Sequence, residues 1–394
     1  MKWWTTSSTS GGAAAASAPA RAVRTPALLK LALALAAVLV TLAALELGIR
    51  VVFGLSGTSI ATYRPSFYYA ATDPQFDRRR FVAHPFQPYA PRPHDARTLV
   101  VHRKEIQADV AYRYRNNSLG FRTPERPFAK PPGTRRIVTL GGSTTWDGPD
   151  DATTWPALLE QRLNEHYGGR GHRIEVVNLA VDGATSAVSL MWLAMLGVAY
   201  APDLVVSGDG VNDFAASFYA GIAPDYRNAM RRFDDAIDSV QLRLPPWAFA
   251  SYLVSVASAR YDTWRTGGIP LNVHAQMFAP INRLPRSDTP LASIALHQRN
   301  VKVMRGIAAE HGARFLGNVP HWAAVPPALD AYDRAMREFF ARERIAYVDL
   351  QASLPHGDFS LHADQVHWTT KGLHAVADAW FTRIVADDLL ALGR

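Results

Sequence analysis

"IVTLGGSTTWDG", Ile137 to Gly148, is the stretch whose reading decides the fold. A run fit for a buried strand, Ile137-Val138-Thr139-Leu140, stops at two glycines, and a serine, two threonines and a tryptophan follow. Glycines permit a sharp turn out of a strand and let other groups approach the backbone closely. A serine on such a turn projects its hydroxyl from the end of a sheet, with its own N–H pointing the same way. On these residues alone the stretch fits a nucleophile on a turn, an ordinary Ser/Thr helix cap or a phosphate-cradling loop. The lysine of a P-loop is missing, which weighs against nucleotide binding.

Downstream the same rhythm repeats. Short apolar runs at Arg136–Leu140, Ile174–Leu179, Leu204–Ser207, Arg314–Asn318 and Ala346–Leu350 read as strands. Between and after them, Thr154–Tyr167, Ser186–Tyr200, a stretch within Asp225–Trp264, Asp288–His311, Pro326–Glu343 and Thr370–Leu392 read as helices. Strands alternating with amphipathic helices predict a parallel α/β sheet covered on both faces, with right-handed crossovers. An insertion at about 214–285, rich in aromatics and prolines, separates the third and fourth strands and is expected to shape a pocket wall. The whole domain is expected over 133–394. Residues 54–132, rich in Pro, Arg and aromatics, read as a loop-rich region with short strands that packs on it.

The front of the chain differs. Residues 1–26 read as a disordered cytoplasmic tail. "LALALAAVLVTLAAL", Leu31 to Leu45, carries no charge, and with its flanks the span 27–53 reaches the roughly 20 residues a membrane helix needs. Glu46 and Arg50, one turn apart at its far end, can pair and snorkel. A transmembrane anchor fits length and flanks. A cleaved secretory signal with Thr41-Leu42-Ala43 as its small-residue site is the second reading, and a buried core helix the third. Arg21, Arg24 and Lys30 ahead of the uncharged run predict a cytoplasmic N-terminus, with the rest of the chain outside the cytoplasm, periplasmic or extracellular.

Composition excludes several classes. Of 394 residues, 48% are hydrophobic and 19% charged, so the chain is globular rather than disordered throughout. The +8 net charge, from 42 Lys and Arg against 34 Asp and Glu, suits anionic lipid headgroups or acidic glycans. No dense basic block is interleaved with aromatics, so nucleic acid is not an expected partner, and Arg78-Arg79-Arg80 reads as a solvated loop. With no cysteine there is no disulfide, thiol catalysis or thiolate metal site.

Four stretches lie where open α/β sheets bind ligands, beyond the carboxyl ends of the strands. After the first strand stands Ser143. After the second comes "NLAVDGATS", in which Gly183 offers an open backbone N–H or serves turn geometry. After the third comes "GDGVND", in which Asn212 can donate its amide to an oxyanion or cap the next turn. Before the last helix comes "DQVHWT", in which Asp364 can fix the tautomer of His367 and leave its other nitrogen free as a base. His356, Asp358, His362, Asp364 and His367 crowd here, but without the helical spacing of known metal motifs, so no metal site is expected.

In this order the blocks resemble the SGNH/GDSL hydrolase superfamily. "GGSTT", "NLAVDGATS", "GDGVND" and "DQVHWTTKG" are similar to its serine, glycine, asparagine and D-x-x-H blocks, and "NNSLGFRTPERP" resembles a segment that precedes the serine block in membrane-anchored bacterial members. Gly142 departs from the pattern, standing where the family usually has the Asp of Gly-Asp-Ser. The resemblance implies a flavodoxin-like three-layer α/β/α sandwich of about five parallel strands, ordered 2-1-3-4-5, so that Ser143 and Asn212 face one another across the switch point. It implies a serine esterase with Ser143 as nucleophile, His367 as base and Asp364 as its orienter. The oxyanion hole would be the N–H of Ser143, the N–H of Gly183 and the Asn212 amide. No metal or organic cofactor is needed. The substrate would be an ester-bearing small molecule, glycan or lipid. An O-acyltransferase acting on exopolysaccharide or peptidoglycan is the alternative, and a non-catalytic glycan-binding envelope protein a second one.

Overall fold

The computed structural model describes residues 26–57, 60, 81–103, 108–231, 244–266, 278–324, 327–357 and 360–393. The expected tail (save Pro26), the run Arg78-Arg79-Arg80 and Asp358 lie outside these residues. The chain divides into two compact units, residues 1–60 with 251–253, and residues 61–250 with 254–394.

The first unit is built on helix α1, Ala27–Ser56, three residues longer than the expected span. Its Leu, Ala and Val side chains cover every face and none is buried. Its most apolar 18-residue window has mean hydropathy 2.5, so by length and composition the helix can cross a membrane. Gly57, in the left-handed region at φ 65, ends it. Glu46 and Arg50 pair at 2.7 Å, as their spacing predicts. Glu46 also accepts hydrogen bonds from Ser251 Oγ (2.7 Å) and from the N–H groups of Tyr252 (3.0 Å) and Leu253 (2.8 Å). The carboxylate is therefore held by protein donors as well as by Arg50.

The second unit is a three-layer sandwich. Strands β1 (Thr134–Gly141), β2 (Arg173–Asn178), β3 (Leu204–Gly208), β4 (Arg314–Val319) and β5 (Tyr347–Asp349) form one parallel sheet in the order β2-β1-β3-β4-β5. This is the flavodoxin-like order, with its switch point between β1 and β3. Its helices include α2 (Ser143–Trp146), α3 (Trp155–Tyr167), α4 (Ser186–Met195), α5 (Val211–Ser217), α6 (Tyr252–Thr266, whose first two residues belong to the first unit), α7 (Ile294–Glu310), α8 (Pro327–Glu343) and α9 (Thr370–Ala386). Alternate strand residues feed two cores. Ile137, Val176, Leu204, Val206 and Leu316 pack with α3 and α9, where Trp155 and Trp380 stack at 5.4 Å. Val138, Leu140, Val177, Val205 and Phe315 pack with α4, α7 and α8. Burial on both faces is why these strands read as continuous apolar runs.

Three helix boundaries differ from the sequence reading by more than about one turn. The helix expected over Ser186–Tyr200 stops at Met195, because Leu196 leaves helical geometry (φ −130, ψ −43) and Gly197–Tyr200 tightens into a 3-10 turn. The one expected over Asp288–His311 starts at Ile294. The one expected over Thr370–Leu392 stops at Ala386, and Asp388 and Ala391 then turn the chain with positive φ. Within the insertion, the described residues include the end of α5, a 3-10 helix at Pro246–Ala250 and α6, while 232–243 and 267–277 lie outside.

Upstream of the sheet, Ala96–Arg103 pairs antiparallel with Ala108–Arg115, and Phe81–Val82 with Ala90–Pro91. The upstream region is bonded to the sheet and to the turns that follow its strands. Tyr89 OH donates to Asp182 O (2.7 Å), the Arg113 N–H to Pro149 O (2.8 Å), and the Asn178 N–H to Thr123 Oγ1 (3.3 Å).

Candidate active site

The turn after β1 is as tight as its glycines predict. Gly141 sits at φ 150, which side chains rarely adopt, and a β-carbon there would also overlap Thr145 Oγ1. Helix α2 begins at Ser143 and lasts one turn, closed by the Asp147 N–H on Ser143 O (2.7 Å). Arg122 fixes its far end. Its guanidinium donates to Trp146 O (3.0 Å) and to Asp151 (2.7 Å), and lies 4.7 Å from the centre of the Trp146 ring. The upstream segment "NNSLGFR" thus buttresses the serine turn.

Gly183 is carried to the same place from β2. Leu179 and Val181 donate their N–H groups to Thr139 O (2.8 Å) and Gly141 O (3.0 Å), which extends the pairing past the strand end. Ala184 then closes a turn on Val181 O (2.9 Å), with Gly183 at φ 77. Among the described residues, the N–H groups of Ser143 and Gly183 have no hydrogen-bond acceptor.

From β3, Asn212 and Asp213 part ways. Asn212 Nδ2 donates one hydrogen to Ala184 O (2.8 Å), which leaves the other free. Asp213 turns back and accepts from the Ser186 N–H (2.9 Å) and Oγ (2.5 Å) at the start of α4. Beside it, Asp209 accepts Ser189 Oγ and Ser207 Oγ, each at 2.7 Å. Burial, and after it the charge of Asp213, pushes the Asp209 carboxyl up to about 7 in spite of those two donors.

The D-x-x-H block forms the tip of a small hairpin. His362 bridges Trp368, with Ala363 N–H on His367 O (2.8 Å) and Thr369 N–H on Leu361 O (2.9 Å). At the tip, Asp364 Oδ1 accepts the N–H groups of Val366 (2.9 Å) and His367 (2.7 Å). Asp364 Oδ2 lies 2.7 Å from His367 Nδ1, and His367 Nε2 lies 2.9 Å from Ser143 Oγ. Burial works to raise the Asp364 carboxyl, but the hydrogen bond and charge of His367 and the two N–H donors outweigh it and hold it well below the usual carboxylate range. An ionised Asp364 only accepts, so Nδ1 carries the imidazole proton and Nε2 accepts from the Ser143 hydroxyl.

Ser143, Asp364 and His367 therefore stand in one hydrogen-bonded line, with Gly183 and Asn212 carried to the turn beside Gly142. The other crowded histidines lead elsewhere. His362 Nε2 lies 2.8 Å from Nδ1 of buried His321, and His356 Nδ1 lies 3.0 Å from Gln351. Burial first, and neighbouring imidazole charge second, pushes His321 and His362 down to about 4, so both rings are neutral. Among the described residues, no three His, Asp or Glu side chains are grouped to hold a metal ion. The sequence reading missed Asp147, Asp209, Arg122 and His321. Only Asp147, one turn past Ser143, had a local spacing that could have flagged it.

The model of the GDSL-like lipase/acylhydrolase family matches residues 139–375. The chain belongs to that family. As a GDSL-like acylhydrolase it is a hydrolase acting on ester bonds, and its substrates bear esters. No curated sequence matches the chain. Similar solved structures include the acetylxylan esterase Axe2 from Geobacillus stearothermophilus, at 14% identity and TM-score 0.39, over 64% of this chain and 94% of that one. TesA matches at 17% and 0.38, over 64% and 98%. LAE5, an α/β hydrolase from the metagenome of Lake Arreo in Spain, matches at 16% and 0.39, over 63% and 94%. Likeness at this level carries nothing about substrate to this acylhydrolase.

Proposed function

We propose that the chain is a serine esterase working through an acyl-enzyme. The observation that carries this reading is the line from Asp364 Oδ2 to His367 Nδ1 (2.7 Å) and from His367 Nε2 to Ser143 Oγ (2.9 Å). His367 takes the Ser143 proton as Ser143 Oγ attacks the ester carbonyl, and Asp364 stabilises the imidazolium that results. The oxyanion is received by the N–H groups of Ser143 and Gly183 and the free Asn212 amide hydrogen. His367 passes its proton to the leaving alcohol, and water then resolves the acyl-enzyme by the same route in reverse. No step calls for a metal or organic cofactor.

Helix α1 supports a membrane anchor, and the basic residues ahead of it support a catalytic unit outside the cytoplasm. That setting, with the net positive charge, favours an acyl group on a cell-envelope glycan or lipid as substrate. The test is labelling of the full chain in detergent by a serine-directed fluorophosphonate, with Ser143→Ala as control. Labelling of the wild type alone is expected; an unlabelled wild type, or an equally labelled mutant, overturns the nucleophile. Acetylated glycan supplied with and without an acceptor sugar then separates hydrolysis from transfer.

A further inference from the structure

Asp147 lies where the nucleophile and the base are joined. Its backbone N–H closes helix α2 on Ser143 O (2.7 Å). Its carboxylate, 2% exposed with the rest of the residue, accepts the N–H of Gly148 at Oδ1 (3.0 Å) and the N–H of Trp368 at Oδ2 (3.1 Å). Trp368 is the residue after His367. In the hairpin, the bonds Ala363 to His367 and Thr369 to Leu361 flank the His362–Trp368 pair on both sides. In an antiparallel ladder, the N–H groups of a pair flanked in this way point away from each other's strand. The Trp368 N–H therefore leaves the hairpin and needs a partner elsewhere, because Trp368 is buried. Asp147 supplies that partner from the nucleophile's own turn.

We propose that Asp147 is a positioning residue that sets the Ser143–His367 distance by holding the base hairpin to the nucleophile turn. This rests on the esterase reading above. The internal geometry of the tip does not depend on Asp147, since Asp364 binds His367 through bonds within residues 364–367. The hairpin's tie to the far side, Ala323 N–H on Gln365 O (3.0 Å), does not involve α2. Loss of Asp147 should therefore leave the Asp364–His367 pair intact and loosen its approach to Ser143. Misplacement of a catalytic group by about 1 Å can cost about a hundredfold in rate.

The experiment is the rate and stoichiometry of fluorophosphonate labelling of the full chain across pH, for wild type, Asp147→Asn and Asp147→Ala. Asp147→Asn keeps the shape and one acceptor oxygen, so it decides the matter should Asp147→Ala fail to fold. The expected result is complete labelling of both variants at a rate about 10-fold lower for Asn and about 100-fold lower for Ala. The pH midpoint should stay at the wild-type value, because the Asp364–His367 pair is untouched. Wild-type rates in Asp147→Asn overturn the proposal. So does wild-type rate with a reduced fraction labelled, which would mark a purely structural role, and so does a displaced midpoint. An unlabelled wild type, or labelling that survives Ser143→Ala, removes the esterase reading and this proposal with it; a failure confined to the Asp147 variants leaves the esterase reading standing.

Discussion

Restoring the aspartate that the family usually carries before its serine should harm this enzyme, and even one methyl group there should do so. A β-carbon built on Gly142 would lie 2.6 Å from Asn212 Nδ2 and 3.0 Å from Ala184 O, whereas ordinary contact begins at 3.4 Å. Gly142→Ala therefore demands a shift of about 0.8 Å by the Asn212 amide and about 0.4 Å by the Ala184 carbonyl. The two are bonded to each other at 2.8 Å, so neither can yield without moving the other. Removal of one oxyanion donor costs about 2.7–4 kcal/mol in known cases. A donor displaced rather than removed should lose part of that, about 1.4–2.8 kcal/mol, or 10- to 100-fold in kcat. The assay is kcat and KM on p-nitrophenyl esters in a double-mutant cycle with Asn212→Ala. Asn212→Ala should lower kcat by about 10²–10³ with KM little changed, and adding Gly142→Ala to it should cost less than about threefold, because the closer of the two atoms it strikes is gone and the Ala184 carbonyl is no longer tied to it. The reasoning is refuted if Gly142→Ala stays within about threefold of wild type, or if its cost is the same with and without the Asn212 amide.

Other outcomes follow from buried charge. Asp364→Asn should reduce kcat by about 10³–10⁴ with little change in KM, because an amide favours the wrong His367 tautomer. Asp209 is pushed from its ordinary 3.8 to about 7 in the folded chain, so the folded state holds a proton that the unfolded state releases. Its contribution to stability therefore falls as pH rises from about 4 toward 7. Measured as urea midpoints at pH 5 and pH 8, Asp209→Asn should therefore gain on the wild type at the higher pH; an equal difference at both would contradict the shift. Arg136, fully buried, bonds Glu175 through Nε (3.1 Å) and Nη2 (2.7 Å) and also donates to Phe128 O and Tyr200 O. Arg136→Met leaves that carboxylate buried without its main partner and should cost about 3–5 kcal/mol, read as a melting temperature lower by roughly 10 °C.

The sheet was legible because burial on both faces leaves an unambiguous mark. Val205 and Val206 face opposite layers and both are apolar, so β3 reads as a continuous run with no competing pattern. Helix ends were less legible. Leu196 looks like any other helical leucine, and only its backbone dihedrals show that α4 has stopped. The Asp364–His367 pair was legible for a different reason: its chemistry is local, two side chains and two N–H groups within four residues. The bonds that bring this pair to Ser143 obey no spacing rule. Trp368 and Asp147 are 221 residues apart, and Asn212 reaches Ala184 across 28.

That division explains what Gly142 means. In sequence it stands out only as a departure from Gly-Asp-Ser. In the fold its φ of −93 is open to any residue, so the backbone does not require glycine there. The constraint comes from outside, from the Asn212 amide pressed against the turn and locked to Ala184 O. A glycine kept for space rather than for torsion cannot be told from a tolerated substitution by reading its neighbours. Its partner lies 70 positions downstream in the asparagine block, and the two should be read as one unit. In this chain the bare turn at Gly142 and the close approach of Asn212 are one structural feature, because a side chain at 142 and the amide at its present distance exclude each other.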